Sequence, residues 1–263
     1  MRRTSHAAAA LIATAIALAP ACLAQAPDPD LLVHLKLDEG TGTAAQDASS
    51  YGNDGTVHAG AGGPAWVAGR LGDALEFYNY NGTYTRYVRV PWQPSLGITS
   101  GLTLAGWVRL RTLTTGSQTV IGRANGASDW YLQVRNRGRR IAFVLCVDGR
   151  TETLLHNLNA HSAWQVGEWH HLAATYDGSR MRLYVDGAQV RSENAPGIVT
   201  TSTSTALPIG IGAQPQTPTR WRNGIPGALD DVRLYRRALS AAEIQALANP
   251  AGAFARLRWQ ERL

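Results

Sequence analysis

Trp169-His170-His171-Leu172-Ala173-Ala174-Thr175-Tyr176-Asp177-Gly178, continued by Met181-Arg182-Leu183-Tyr184-Val185-Asp186-Gly187, is the stretch that decides the fold. A strand runs to Tyr176, and Asp177-Gly178-Ser179 turns the chain, because Asp and Gly tolerate the positive φ that tight hairpins need. Met181, Leu183 and Val185 then share one face of a second strand. Asp186-Gly187 turns the chain again, so two Asp-Gly turns enclose one short strand and predict a three-stranded antiparallel meander.

The same period-two signal spreads outward in both directions. Leu31, Val33, Leu35 and Leu37 alternate, as do Leu102, Leu104, Val108 and Leu110 around Trp107. Trp130, Leu132 and Val134 form another such face, and Ile141, Phe143, Leu145 and Val147 another, closed by Asp148-Gly149. A last strand is expected from about Gly227 to Tyr235. One helix follows: Ser240 with Glu243 three residues on makes a capping box, Ile244 and Leu247 share a face, and Asn249-Pro250 ends it. Many short strands with Gly-rich turns predict an all-β, two-sheet antiparallel jelly-roll sandwich with one short C-terminal helix.

Composition agrees. The chain has 263 residues with 44% hydrophobic and 17% charged, which excludes a disordered chain or a coiled coil. Two cysteines exclude a disulfide miniprotein and a zinc ribbon. Arg2-Arg3, an apolar run from Ala7 to Ala19, and the small-residue context at Cys22-Leu23-Ala24 read as a secretory signal peptide over residues 1–24. The alternative is a lipoprotein anchor through Cys22. Without the peptide the formal charge falls from +6 to +4 and Cys146 remains as a lone thiol, expected to be buried. No other segment is apolar enough to span a membrane, so a secreted or periplasmic protein is expected, with one folded domain over residues 30–249 and a short basic tail over 250–263.

The meander resembles the central hairpins of the bacterial laminin-G-like, concanavalin A-like lectin/glucanase domains. Leu37-Asp38-Glu39-Gly40, the loop from Asp47 to Gly55, Leu102-Thr103-Leu104-Ala105-Gly106-Trp107-Val108, and Gly227 through Ser240 resemble the same family in the same order. The resemblance implies a jelly roll with a structural Ca2+. A calcium ion there would join Asp47 and Asn53 of the first loop to Asp230 on the last strand. Hard cations take carboxylate and carbonyl oxygens, which that loop offers, although Asp47 and Asn53 can equally cap turns.

Catalysis is harder to find. The Glu-x-Asp-x-x-Glu strand of the family's glucanases is absent. Asp230 and Asp231 are adjacent, as are His170 and His171, and neighbours on a regular strand point to opposite faces. Sugar binding would use aromatic rings with nearby amides and guanidinium groups. The candidates are Tyr80, Tyr84, Trp92, Arg123, Trp130, Trp221 and Asn223, each with core packing as the competing reading. Trp107 and Trp169 read as core. Arg135, Arg137, Arg139 and Arg140 form a basic cluster around one turn, suited to an acidic polysaccharide or a membrane surface, or simply solvated. The expectation is a secreted, non-catalytic module that binds an extracellular glycan or a cell-surface protein and no nucleic acid. A glycan hydrolase or lyase on the same fold, and an adhesion subunit, are the alternatives.

Overall fold

The computed structural model describes residues 27–78, 86–125, 128–158, 164–202 and 204–250. In chain order the strands are β1 Leu31–Leu35, β2 Ala44–Ala45, β3 Gly55–Ala59, β4 Ala65–Ala68, β5 Asp73–Tyr78, β6 Arg86–Val90, β7 Leu102–Leu110, β8 Ser117–Asn125 and β9 Ser128–Arg135. They continue as β10 Arg140–Val147, β11 Arg150–Asn157, β12 Trp169–Tyr176, β13 Arg180–Val185, β14 Ala188–Asn194, β15 Ile209–Ile211, β16 Gln214–Pro215, β17 Trp221–Arg222 and β18 Pro226–Tyr235. The helix α1 spans Ala241–Ala248.

Two eight-stranded antiparallel sheets face each other. One has the order β14-β13-β12-β7-β18-β5-β4, with β1 added on β18; the other runs β11-β10-β9-β8-β15-β6-β3-β2. The expected meander is β12-β13-β14, with Asp186 at φ 49° in its second turn. The inner faces supply one continuous core that includes Leu104, Val108, Leu172, Leu183, Leu229 and Val232 from the first sheet and Val88, Leu132, Phe143 and Ile211 from the second. α1 closes a smaller cluster on the outer face of the first sheet, where Ile244 and Leu239 cover Ala105, Ala173, Tyr184 and Tyr235. Its capping box is complete: Glu243 N–H donates to Ser240 Oγ, and Ser240 N–H donates to Glu243 Oε2 at 2.8 Å. Cys146 is free and buried.

Two sequence expectations change here. Trp107 is buried, but its register partners Asp230 and His171 place it on the outer face of the first sheet, outside both apolar clusters. Trp169 is only half-buried. Asp230 and Asp231 do not diverge, because the strand is irregular there. The register of β18 against β7 slips between Asp230 and Arg233, and Asp231 adopts φ 51°. This bulge turns the Asp231 carboxylate to the outer face, where Arg233 and His34 hold it.

Candidate ligand-binding cleft

A cleft of about 450 Å³ opens at one end of the first sheet, lined by Arg70, Trp107, Glu168, Trp169, His170, Asp186, Ala248 and Asn249. Four local structures meet there: the β4–β5 turn brings Arg70, the start of β12 brings Glu168 to His170, the β13–β14 turn brings Asp186, and the end of α1 brings Asn249. The Asp-Gly turn that fixed the meander therefore also places a carboxylate at the cleft.

Its polar groups are held in position. His170 Nδ1 lies 2.8 Å from Asp186 Oδ2, its Nε2 lies 3.7 Å from Glu168 Oε2, and the imidazole stacks on Trp164 at 5.0 Å. Burial would raise the Asp186 carboxyl, but bonds from His170 and the His171 N–H outweigh it and lower its pKa. The guanidinium groups of Arg70 and Arg109 lie over the Trp107 and Trp169 rings at 5.0 and 4.8 Å. Beneath the cleft, burial pulls the His171 pKa down to about 4, so this imidazole is neutral at physiological pH. Trp107 Nε1, His170 Nε2 and His171 Nδ1 are buried polar atoms with no hydrogen-bond partner among the described residues. Unused buried donors and acceptors are costly unless a ligand or water meets them.

The residues singled out from sequence lie elsewhere. Arg123 and Trp130 are 0% exposed: Arg123 Nη1 donates to Asp129 Oδ1 at 2.6 Å, and its remaining nitrogens donate to the carbonyls of Ser202, Ser204 and Leu207. Trp92, half-buried, packs under that guanidinium at 3.8 Å. These three are interior architecture rather than a rim. Trp221 and Asn223 sit on the outer face of the second sheet, Trp221 stacked on Tyr87 at 3.7 Å and Asn223 donating to Gln214. Tyr80 and Tyr84 lie outside the described residues.

The residues expected to hold calcium do not fit it. Asp47 already accepts four hydrogen bonds, from the N–H groups of His34, Ser49 and Asn53 and from Ser49 Oγ. The Asn53 amide donates to the Leu32 carbonyl. Asp230 Oδ2 accepts from the N–H groups of Arg70 and Leu71, while its Oδ1 is buried and unpartnered. Among the described residues no group of three or more His, Cys, Asp or Glu is placed to hold a metal.

The cleft residues were missed because a tryptophan in a strand reads as core. No local signal separated them: on an alternating strand, polar neighbours such as Glu168 and His170 flank an inward-facing indole as readily as a rim one.

The family model described as the Concanavalin A-like lectin/glucanases superfamily matches residues 81–245. Pappalysin-1 of Mus musculus is 32% identical over 111 residues, which is 41% of this chain and 6% of that protein. Adhesion G-protein coupled receptor V1 of Danio rerio is 26% identical over 157 residues, 58% of this chain and 2% of that protein. The chain thus spans a small fraction of these curated relatives. Among solved structures, the binding domain of Paraclostridial Mosquitocidal Protein 1 superposes with a TM-score of 0.64 at 17% identity, over 84% of this chain and 52% of that one. Domain 4 of AbnA, an extracellular arabinanase from Geobacillus stearothermophilus in complex with arabinotriose, gives a TM-score of 0.61 at 19% identity, over 84% of this chain and 98% of that one. The botulinum neurotoxin serotype G binding domain gives 0.61 at 16%, over 83% and 50%.

Proposed function

Because the chain belongs to the Concanavalin A-like lectin/glucanases superfamily, we propose that it is a secreted, non-catalytic binding module that takes carbohydrate in the cleft between Trp107, Trp169 and Asp186. The observation that carries this reading is the cleft's composition. Two indoles line a concavity of ligand size, and donors and acceptors of both kinds surround them. Arg70 and Asn249 donate to hydroxyls; Glu168 and Asp186 accept from them. The similar arabinanase domain, solved with arabinotriose, supports a sugar as the ligand class. No helix of the described residues is long and apolar enough to cross a membrane, which agrees with export as a free or lipid-tethered module.

The test is binding to a glycan array and titration of the best ligand. Trp169→Ala should abolish binding with an unchanged melting temperature, because Trp169 is half-buried at the rim. Asp186→Asn should weaken binding about tenfold, the equivalent of one charge-assisted hydrogen bond. Release of reducing ends from a polysaccharide panel would instead establish a hydrolase. A blank array with capture of a cell-surface protein would establish adhesion.

A further inference from the structure

We propose that the outer face of the second sheet is a separate binding surface for an acidic polysaccharide, recognised through arginines that amides hold in place and no carboxylate neutralises.

The face is read directly from the register. Tyr131 of β9, Gly122 of β8, Gly210 of β15, Arg89 of β6 and Thr56 of β3 lie opposite one another in a continuous cross-strand row. Successive strands are spaced about 4.8 Å apart, so this row spans about 20 Å, the length of a few sugar residues. The parallel row on one side holds Thr119 with Gln133 and then Ala142; Arg135 faces Arg140 beyond it. On the same side, across β15, Tyr87 faces His58. Trp221 lies over Gly210, where a Cβ would come within 2.6 Å of its ring, so glycine at this position lets the indole settle onto the sheet. His58, Tyr87 and Trp221 stack in series, at 4.6 and 3.7 Å.

Apart from Asp129, which is buried in its pair with Arg123, the strand positions that alternate onto this face are neutral or basic. The ion pairs among the described residues lie on the first sheet, around its helix and edges, or in the interior at Arg123–Asp129. Arg89, Arg135, Arg137, Arg139, Arg140 and Arg222 form no ion pair among the described residues, although Arg135 and Arg140 stand directly opposite one another. Like charges so placed cost stability. Instead of carboxylates, neutral amides fix the guanidinium groups. Gln133 Oε1 accepts from Arg135 Nε and Nη2 at 3.0 and 2.9 Å. Gln214 Oε1 accepts from Arg222 Nε at 3.2 Å, from Asn223 Nδ2 and from Gln133 Nε2. The two glutamines are themselves buried. The network therefore orders the cations while leaving their full charge for a partner, which is what recognition of carboxylate or sulfate groups requires. The field is felt nearby: burial lowers the His58 pKa, and Arg89 lowers it further. A membrane is the less favoured partner, because Leu155 is the only exposed large hydrophobic residue on this sheet among the described residues, and stable membrane attachment needs more apolar anchorage.

The experiment uses the purified chain with three probes: polygalacturonate, dextran sulfate and neutral dextran. Phosphatidylserine vesicles form a fourth arm. Both polyanions should bind, with affinity falling steeply with salt, and neutral dextran should not. Arg135→Gln with Arg222→Gln should weaken polyanion binding at least about tenfold. The exposed pair Arg139→Gln with Arg140→Gln, which cannot disturb the core, should also weaken it and flatten the salt dependence. Trp169→Ala should leave it unchanged, which separates this surface from the cleft. Equal binding of neutral dextran, unchanged binding by both double variants, or binding to vesicles but to neither polysaccharide would overturn the proposal.

Discussion

His34 Nε2 on the first strand lies 2.6 Å from Asp231 Oδ1 on the last, and this contact joins those two strands across the outer face of the first sheet. Arg233 donates to both oxygens of the same carboxylate. Burial alone would raise the Asp231 pKa, but the bonds from His34 and the charge of Arg233 overcome it and bring it down to about 2. The carboxyl is thus lower in the folded chain than its ordinary value of 3.8. Its stabilising contribution is full above about pH 4 and is lost as pH falls toward 2. Asp231→Asn should cost about 3 kcal/mol at neutral pH and shrink the loss of melting temperature between pH 4 and 2, measured by thermal melts across that range. An unchanged acid profile would show that another carboxylate controls it.

Asp230, its neighbour, behaves in the opposite sense. Burial is the main cause, with the charges of Asp231 and Asp38 adding to it, and together they outweigh two backbone N–H donors and push the Asp230 pKa up to about 7. A raised carboxyl contributes fully below its ordinary value of 3.8 and loses that contribution progressively as pH rises from there through about 7. Asp230→Asn keeps an oxygen for the Arg70 and Leu71 N–H groups and removes the charge. The variant should melt close to the unaltered chain at pH 4, with the gap widening through pH 5 and 6 to several degrees at pH 8. Parallel melting curves from pH 4 to 8 would mean that the carboxyl ionises at its ordinary value.

The sandwich was legible because period-two faces and Asp-Gly turns are local signals, and the meander, the last strand and the capped helix all follow from neighbours in sequence. The cleft was not legible because Arg70, Trp169, Asp186 and Asn249 meet only after the β4–β5 turn, the meander and α1 have packed. The bulge at Asp231 was also hidden: a regular strand would send Asp230 and Asp231 apart, and only the slipped register brings both to one face. Trp130 and Trp221 have the same chemistry in sequence, yet Trp130 points into the core and Trp221 away from it. That difference is set by strand pairing, which composition does not encode.

The first loop should hold its shape without calcium. Asp47 pins the loop by itself, gathering three backbone N–H groups and a hydroxyl onto one carboxylate. Asp47→Ala should cost about 2 kcal/mol by leaving those donors unmet, since hydrogen bonds to a charged group contribute about 1.5–3 kcal/mol each but water re-solvates part of an exposed loop. Excess EDTA should leave the melting temperature of the unaltered chain unchanged. A rise in melting temperature on adding CaCl2, following the linkage of a bound ion to the folded state, would restore the metal.

Arg123 offers the clearest separation of architecture from binding. Its guanidinium and the Asp129 carboxylate are both fully buried, and desolvation opposes the charge on each. The pair persists because every guanidinium nitrogen is engaged: one bond to Asp129, three to the carbonyls of Leu207, Ser202 and Ser204, and the flat face against Trp92. Arg123→Ala strands Asp129 in an apolar site and should cost about 3–5 kcal/mol. Replacing both partners, Arg123→Met with Asp129→Asn, removes the buried charges together and should recover much of that loss. Melting temperatures of the three variants measure the coupling. Glycan binding by the double variant should match that of the unaltered chain, because Arg123 lies behind the sheet from every proposed ligand. Loss of binding at full stability would return Arg123 to the list of ligand contacts.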